Sequence, residues 1–365
     1  MTAPLRIMCL SNMYPGPEDP DYGAFVATMS AALEAEGHHV DRVVISHRRG
    51  GRLRTPAKYL GLLARALAHT RRTDVIYAHY MVPTGVIAAV CGRVLRRPWV
   101  VTAHGGDVAN LRSRPIRTGS RFALRRAGGV IAVSDYLADG IRTGIPTNRH
   151  IDVINMGVDT QRFRPGDRTA ARRRLGLPER CRVLLAVGGL TERKNPLRLL
   201  DAAAPLMDEH PDLRLVYVGH GPLRETLQEA VAERGLTGRV ILTGAVDNTA
   251  VAEWMAACDV LALPSTVEPL GIVALEALAS GRPVVATRVG GTSEVIGECG
   301  VLVDPTDPAD IRRGIVRMLD APPDPQMCAR QAARHSVAVQ ARRVADVLRR
   351  ATDPDTHVAA SHPDR

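Results

Sequence analysis

The chain has 365 residues, 45% of them hydrophobic, which is more than one ordinary core needs and suits two domains. It holds no run of about 18 apolar residues that could span a membrane, and its six scattered cysteines form no C-x-x-C pair, which weighs against metal or redox chemistry. The net charge of +10 is lopsided: residues 1–165 carry 23 Arg and Lys against 12 Asp and Glu, and the remainder is nearly balanced. A basic half suits an anionic partner, whether a phosphate-bearing ligand, an anionic membrane or a nucleic acid. Aromatic residues are only 3% of the chain, so platforms for stacking single strands are scarce and nucleic acid is disfavoured.

Strands and helices alternate along the chain. "LRIMCLS" (5–11) is a buried strand; it is too short for a signal peptide, and reduced cysteines in the cytoplasm follow as the simple expectation. "AFVATMSAALEAEG" (24–37) is a helix closed by Gly37. Then come a strand at 39–46 and a helix at 55–72, with Thr55 as N-cap and Pro56 at its first position. Short apolar strands follow at 74–79, 98–104, 128–134 and 150–158. The second half repeats the rhythm, with strands at 181–188, 213–221, 239–244, 259–265 and 283–290. This is an α/β pattern of two parallel, doubly wound sheets. The mixed stretch 155–169 is the natural boundary, giving domains at 1–165 and 166–350, and the aperiodic 351–365 is expected to be disordered.

Ligands of such sheets bind beyond the carboxyl ends of the strands. Gly23 lies just before a helix, where backbone amides can approach an anion; a plain turn explains it equally well. His104 stands at a strand end, before Gly105 and Gly106, and Asp107 is either its partner or a helix cap. Arg193 and Lys194 sit in a strand-to-helix loop. Lys194 is one of only two lysines beside 46 arginines, which hints that a compact ammonium is wanted there, as at a phosphate. In "PSTVEPLGIVALEALASGRPVVAT" (264–287), Pro269 and Gly271 precede a helix. Amides of Leu270, Gly271 and Ile272 at its first turn could hold a diphosphate. Glu268 before that turn and Glu276 within the helix could accept hydrogen bonds from sugar hydroxyls. Amides and cations on phosphate, with carboxylates on hydroxyls, make a way to hold a nucleotide sugar. Two carboxylates could also flank a glycosidic bond for hydrolysis, but that leaves the cationic loop idle.

The spacing Ser265-x-x-Glu268-x-x-Gly271-x-x-x-Leu275-Glu276-Ala277 resembles the E-x7-E motif of the retaining glycosyltransferases of family 4. "INMGVD" (154–159) with "FRP" (163–165) resembles the family's interdomain crossover, and "AVGGLTERKN" its phosphate loop. The resemblance covers most of residues 5–320. It implies the GT-B fold: two Rossmann-like domains facing a central cleft, with the acceptor on 1–165 and the nucleotide sugar on 166–350. It further implies Glu268 on donor-sugar hydroxyls, Glu276 on the ribose, and Arg193, Lys194 and Gly23 on the diphosphate, with backbone at 270–272 beside sugar and phosphate. His104 would stand next to the donor sugar, not as a general base. Transfer would retain the anomeric configuration, with no metal and no cofactor. Catalysis would rest on positioning and leaving-group stabilisation by His104, Glu268, Arg193 and Lys194. Many members have Arg where this chain has Gly189, so part of the phosphate clamp is lost or shifts to Arg193.

A UDP-sugar is the favoured donor, with GDP-mannose open. The acceptor is lipid-linked or a small molecule. Leu60, Leu63 and Leu67 with Lys58, Arg65, Arg71 and Arg72 could dock helix 55–72 on an anionic membrane, peripheral to its inner face; a core-facing helix explains the same stripe slightly better. Other classes stay open: a nucleotide-sugar epimerase, a phosphorylase, or a non-catalytic sugar-nucleotide binder.

Overall fold

A computed structural model describes residues 3–19, 22–47 and 55–353. The chain divides into two compact units, one built from 1–157 together with 337 onward, the other from 158–336.

Among the described residues the first unit holds six parallel strands: β1 (Arg6–Ser11), β2 (His39–Val44), β3 (Val75–His79), β4 (Trp99–Ala103), β5 (Gly129–Ala132) and β6 (Asp152–Val153). Their order is β2-β1-β3-β4-β5-β6. β3 and β4 are buried along their whole length. That is the signature of a parallel sheet covered by helices on both faces, and it explains why these strands read as unbroken apolar runs.

The second unit repeats the plan with β7 (Arg182–Val187), β8 (Leu213–Val218), β9 (Val240–Gly244), β10 (Val260–Leu263), β11 (Val284–Thr287) and β12 (Gly300–Val303). The order is β12-β11-β10-β7-β8-β9, again all parallel. Its core joins Leu184, Leu215, Tyr217, Val260 and Val285 to Leu199, Leu206 and Ile315 of the flanking helices. Strand β12 has only four residues in a glycine-rich stretch, and the sequence reading does not include it.

The division of the chain differs from the expected 1–165 and 166–350. The helix Val337–Thr352 leaves the second unit's sequence and packs on the first unit's sheet. Val344, Val347, Leu348 and Ala351 are its buried face. Gly128 permits the approach, since a Cβ there would lie 2.6 Å from the Cβ of Ala351. Arg342 pairs with Glu36 at 2.9 Å and Arg350 with Asp152 at 2.7 Å. Apolar periodicity shows that a helix has a buried face but not which sheet covers it. Of the expected disordered tail, residues 354–365 lie outside the described residues.

The helix Thr55–Thr70 turns Leu62, Ala66 and Thr70 inward, half-buries Leu63 and Leu67, and leaves only Leu60 of the apolar stripe exposed. It is mainly a core-facing helix. Among the described residues no helix is long and apolar enough to cross a membrane. All six cysteines are buried and unpaired.

Candidate active site

In the second sheet β7 and β10 lie side by side. The chain runs outward from β7 through β8 and β9, and outward from β10 the other way through β11 and β12. The crevice at the carboxyl ends of β7 and β10 is therefore the topological switch point, where open α/β sheets bind ligands. Gly188, Gly189, Lys194, Pro264 and Ser265 line it.

Two loops meet there. The loop after β7 makes a tight turn at Glu192–Lys194 before the helix Pro196–Glu209. The loop after β10 leads into the helix Ile272–Ala279. The amide of Thr266 donates to the carbonyl of Arg193 at 2.8 Å, and Arg193 Nη1 donates to the carbonyl of Val267 at 3.2 Å. Lys194 Nζ lies 2.5 Å from Glu268 Oε2, and Ser265 Oγ donates to the same oxygen at 3.0 Å. Both bonds fall on Oε2. Glu268 Oε1 has no hydrogen bond among the described residues, so a fixed carboxylate keeps one oxygen to offer.

Gly271 caps the helix Ile272–Ala279 with φ 79°, a left-handed conformation that suits glycine. No side chain caps that terminus. Its first-turn amides are the donors an anion would use. Gly290 holds the neighbouring turn against this loop: a Cβ there would lie 1.8 Å from the carbonyl oxygen of Glu268, and the amide of Gly291 donates to that oxygen at 3.0 Å. Glu276 is a half-buried residue of the helix whose carboxyl has no hydrogen bond among the described residues. Burial pushes that carboxyl up to about 8, against the pull of the Arg162 charge.

The first unit holds Gly23 and His104. Gly23 starts the helix Ala24–Ala35 at φ 72° without a side-chain cap. His104 follows β4, and its Nε2 lies 3.0 Å from Nδ1 of His79, the last residue of β3. Burial drives His79 down to about 3, and burial plus the neighbouring His79 drive His104 well below the usual histidine range, so both rings are neutral at pH 7. His79 Nε2 is buried without a partner among the described residues. A lone pair left unpaired costs less than an N–H left unpaired. His79 therefore donates from Nδ1 to His104 Nε2, which puts the proton of His104 on Nδ1. The rings of Phe25 and Tyr80 stand 4.9 and 4.8 Å from that of His104.

Asp107 is not a partner of the His104 ring. Its carboxylate accepts from the backbone amides of Met81, His104 and Val108 at 2.9, 3.1 and 3.1 Å, tying the loop after β3 to the loop after β4.

The structure thus gathers Arg193, Lys194, Glu268, Leu270, Gly271, Ile272 and Glu276 in the second unit, and Gly23 and His104 in the first. Sequence reading passed over His79, although it ends a strand just as His104 follows one. It also passed over Gly290, whose importance lies in a contact across 22 residues of chain.

Residues 22–162 match the model of Glycosyltransferase Family 4, and residues 167–335 that of Glycosyl transferases group 1. A D-inositol 3-phosphate glycosyltransferase of Thermobispora bispora is 33% identical over 323 residues, covering 80% of this chain and 74% of that protein. The chain belongs to glycosyltransferase family 4. This family 4 chain is also 33% identical to the 2-deoxystreptamine glucosyltransferase of Streptomyces kanamyceticus over 64% of each. It is 42% identical to a D-inositol 3-phosphate glycosyltransferase of Catenulispora acidiphila, over 47% of this chain and 43% of that one. It spans less than two thirds of the length of these two relatives. Among solved structures, Anabaena HepE in complex with UDP-glucose superposes with a TM-score of 0.76 at 22% identity, covering 94% of this chain and 99% of that one. The two sheets and this likeness are those of the GT-B fold with its pair of Rossmann-like domains.

Proposed function

We propose that this family 4 chain is a retaining, metal-independent glycosyltransferase that moves a hexose-type sugar from a nucleotide-sugar donor to a hydroxyl acceptor. One observation carries the reading. At the switch point of the second sheet, a carboxylate fixed by Lys194 and Ser265 precedes an uncapped helix start, and a second carboxyl without a hydrogen bond follows within that helix.

Each group then has a task. The amides of Leu270, Gly271 and Ile272, with Arg193 and Lys194, take the diphosphate. Glu268 Oε1 accepts from a sugar hydroxyl, and Glu276 accepts from the ribose hydroxyls. Neutral His104 offers an uncharged Nδ1–H to a sugar hydroxyl, and Gly23 lets backbone approach the diphosphate in the first unit. In the reaction the bond from the anomeric carbon to the phosphate oxygen breaks and its electron pair leaves with the diphosphate. The acceptor oxygen bonds to that carbon on the same face, and its proton passes to a phosphate oxygen. The chain supplies positioning and stabilises the departing charge.

A UDP-sugar is the favoured donor. The structural relative HepE is in complex with UDP-glucose, and the curated relatives include a glucosyltransferase and an N-acetyl-alpha-D-glucosaminyl L-malate synthase. The names of several relatives point to small polyols, inositol phosphate and deoxystreptamine, as the kind of acceptor to try first. The test incubates the chain with a panel of UDP- and GDP-sugars and such acceptors, and reads the anomeric coupling of the product by NMR. An α-linked product from an α-linked donor supports the reading; inversion overturns it.

A further inference from the structure

We propose that the amino-terminal edge of the first sheet docks on an anionic phospholipid surface. Arg93, Arg96, Arg97 and Arg126 surround a pocket whose wall is Trp99. The parallel order brings more guanidiniums to the same edge. Arg71 and Arg72 precede β3, Arg96 and Arg97 precede β4, and Arg125 and Arg126 precede β5. None of these seven residues has an ion pair among the described residues.

The crowding has a physical trace. Arg93 is disfavoured as a cation first by burial and then by the charges of Arg126 and Arg125. Its guanidinium donates to the carbonyls of Ala89 at 3.2 Å and Phe122 at 3.1 Å, and lies 4.1 Å from the ring centre of Phe122 and 5.1 Å from that of Trp99. Arginines at helix ends complement the helix dipole, which accounts for one cation per helix. It does not account for a pair in each of three successive connections, nor for what lies beside them. Val94 is 65% exposed next to Arg93, and Phe122 is 39% exposed under its guanidinium.

Guanidiniums without a carboxylate partner among the described residues, interleaved with exposed apolar side chains, suit an interface in which phosphates meet arginine while apolar groups reach the acyl boundary. A soluble phosphate has no use for Val94 and Phe122. A nucleic acid would need a free stacking face, and Arg93 covers that of Phe122. The location leaves the candidate site open. Strand β4 begins at Trp99 and ends one residue before His104, so Trp99 and His104 are about 17 Å apart at the usual strand rise. The surface is not the helix Thr55–Thr70 suggested by its leucine stripe, since that stripe is largely core-facing.

The test is co-sedimentation of the full chain with vesicles of phosphatidylglycerol and phosphatidylcholine, against phosphatidylcholine alone, over a range of salt. Expected is binding to the anionic vesicles only, weakening with salt. Arg96→Glu with Arg126→Glu lowers the partition coefficient at least about tenfold. Val94→Ser lowers the part of binding that survives high salt. Both variants keep the melting temperature and the nucleotide affinity of the parent, so the result does not depend on the catalytic reading. Equal binding to neutral vesicles, no binding to anionic vesicles at low salt, or full binding by the double variant overturns the proposal. So does saturable binding of inorganic pyrophosphate, lost in the double variant, without vesicle binding; that result assigns the pocket to soluble phosphate.

Discussion

Lys194 and Glu268, 74 residues apart in the chain, form an ion pair of 2.5 Å across the switch point of the second sheet. One comes from the loop after β7, the other from the loop after β10. Their side chains are 19% and 10% exposed, so each charge depends on the other for solvation. The pair holds the two loops in register and poises a cation and a carboxylate side by side, as a bound diphosphate and sugar would require.

Breaking that pair from one side leaves a poorly solvated charge. Lys194→Met and Glu268→Gln should each cost on the order of 2 kcal/mol of stability, and the double variant should cost less than the two together. Urea unfolding checks the stability cycle. Donor turnover should stay lost in all three. Additive stability losses would mean that the pair is not coupled.

If Glu276 holds the ribose as proposed, donor binding depends on protons. Its carboxyl sits near 8 in the free chain, above its unfolded value, so the folded chain binds a proton that the unfolded chain releases between about 4.5 and 8. That contribution is complete below about 4.5 and lost as pH rises through 8. Thermal melts from pH 6 to 9 should therefore show Glu276→Gln gaining on the parent as pH rises. Ribose hydroxyls donating to the carboxylate favour its ionised form, so nucleotide binding at pH 7 should release up to one proton. Calorimetry in buffers of different ionisation enthalpy measures it, and uptake instead of release would contradict the ribose role.

His79 carries the opposite sign. Its folded value of about 3 lies below the unfolded one, so its contribution is full above about 6.5 and lost as pH falls toward 3. The acid limb should fall by about 1.4 kcal/mol per pH unit for this one group. His79→Gln should flatten that limb in urea melts at pH 5 and 7. Because the substitution also changes the hydrogen bond that sets the His104 tautomer, it should lower kcat more than nucleotide affinity. A variant with unchanged kcat would remove the positioning role of His79.

Two glycines beside the loops should respond in opposite ways. Gly290 has φ 66° and no room for a Cβ, so Gly290→Ala should cost about 1–3 kcal/mol and displace Glu268. At Gly189 a Cβ would meet only ordinary contacts, 3.6 Å to the His220 carbonyl and 3.7 Å to Thr191 Cγ2. Gly189→Arg should fold like the parent and tighten nucleoside diphosphate binding about tenfold by restoring a guanidinium. Melting curves and calorimetry read both; weaker binding by Gly189→Arg would mean that Arg193 already fills the role.

Much of this was legible in the sequence because parallel strands buried on both faces leave unbroken apolar runs such as "VIYAH" and "VLAL". The loop residues Glu268, Gly271 and Lys194 were legible because strand ends in doubly wound sheets point to ligands. What was hidden depends on distance in space. The Lys194–Glu268 bond, the His79–His104 pair and the Gly290 contact each join segments that sequence spacing does not relate. The return of Val337–Thr352 to the first unit was hidden for the same reason, since its apolar face would suit either sheet.

The most direct test of the donor site titrates UDP and UDP-glucose into the parent chain, Glu268→Ala and Glu276→Ala by calorimetry. The account predicts that Glu276→Ala weakens both ligands alike, while Glu268→Ala keeps UDP affinity and loses the added affinity for the sugar. Unchanged binding of both ligands by Glu276→Ala, or equal loss of both by Glu268→Ala, would contradict it.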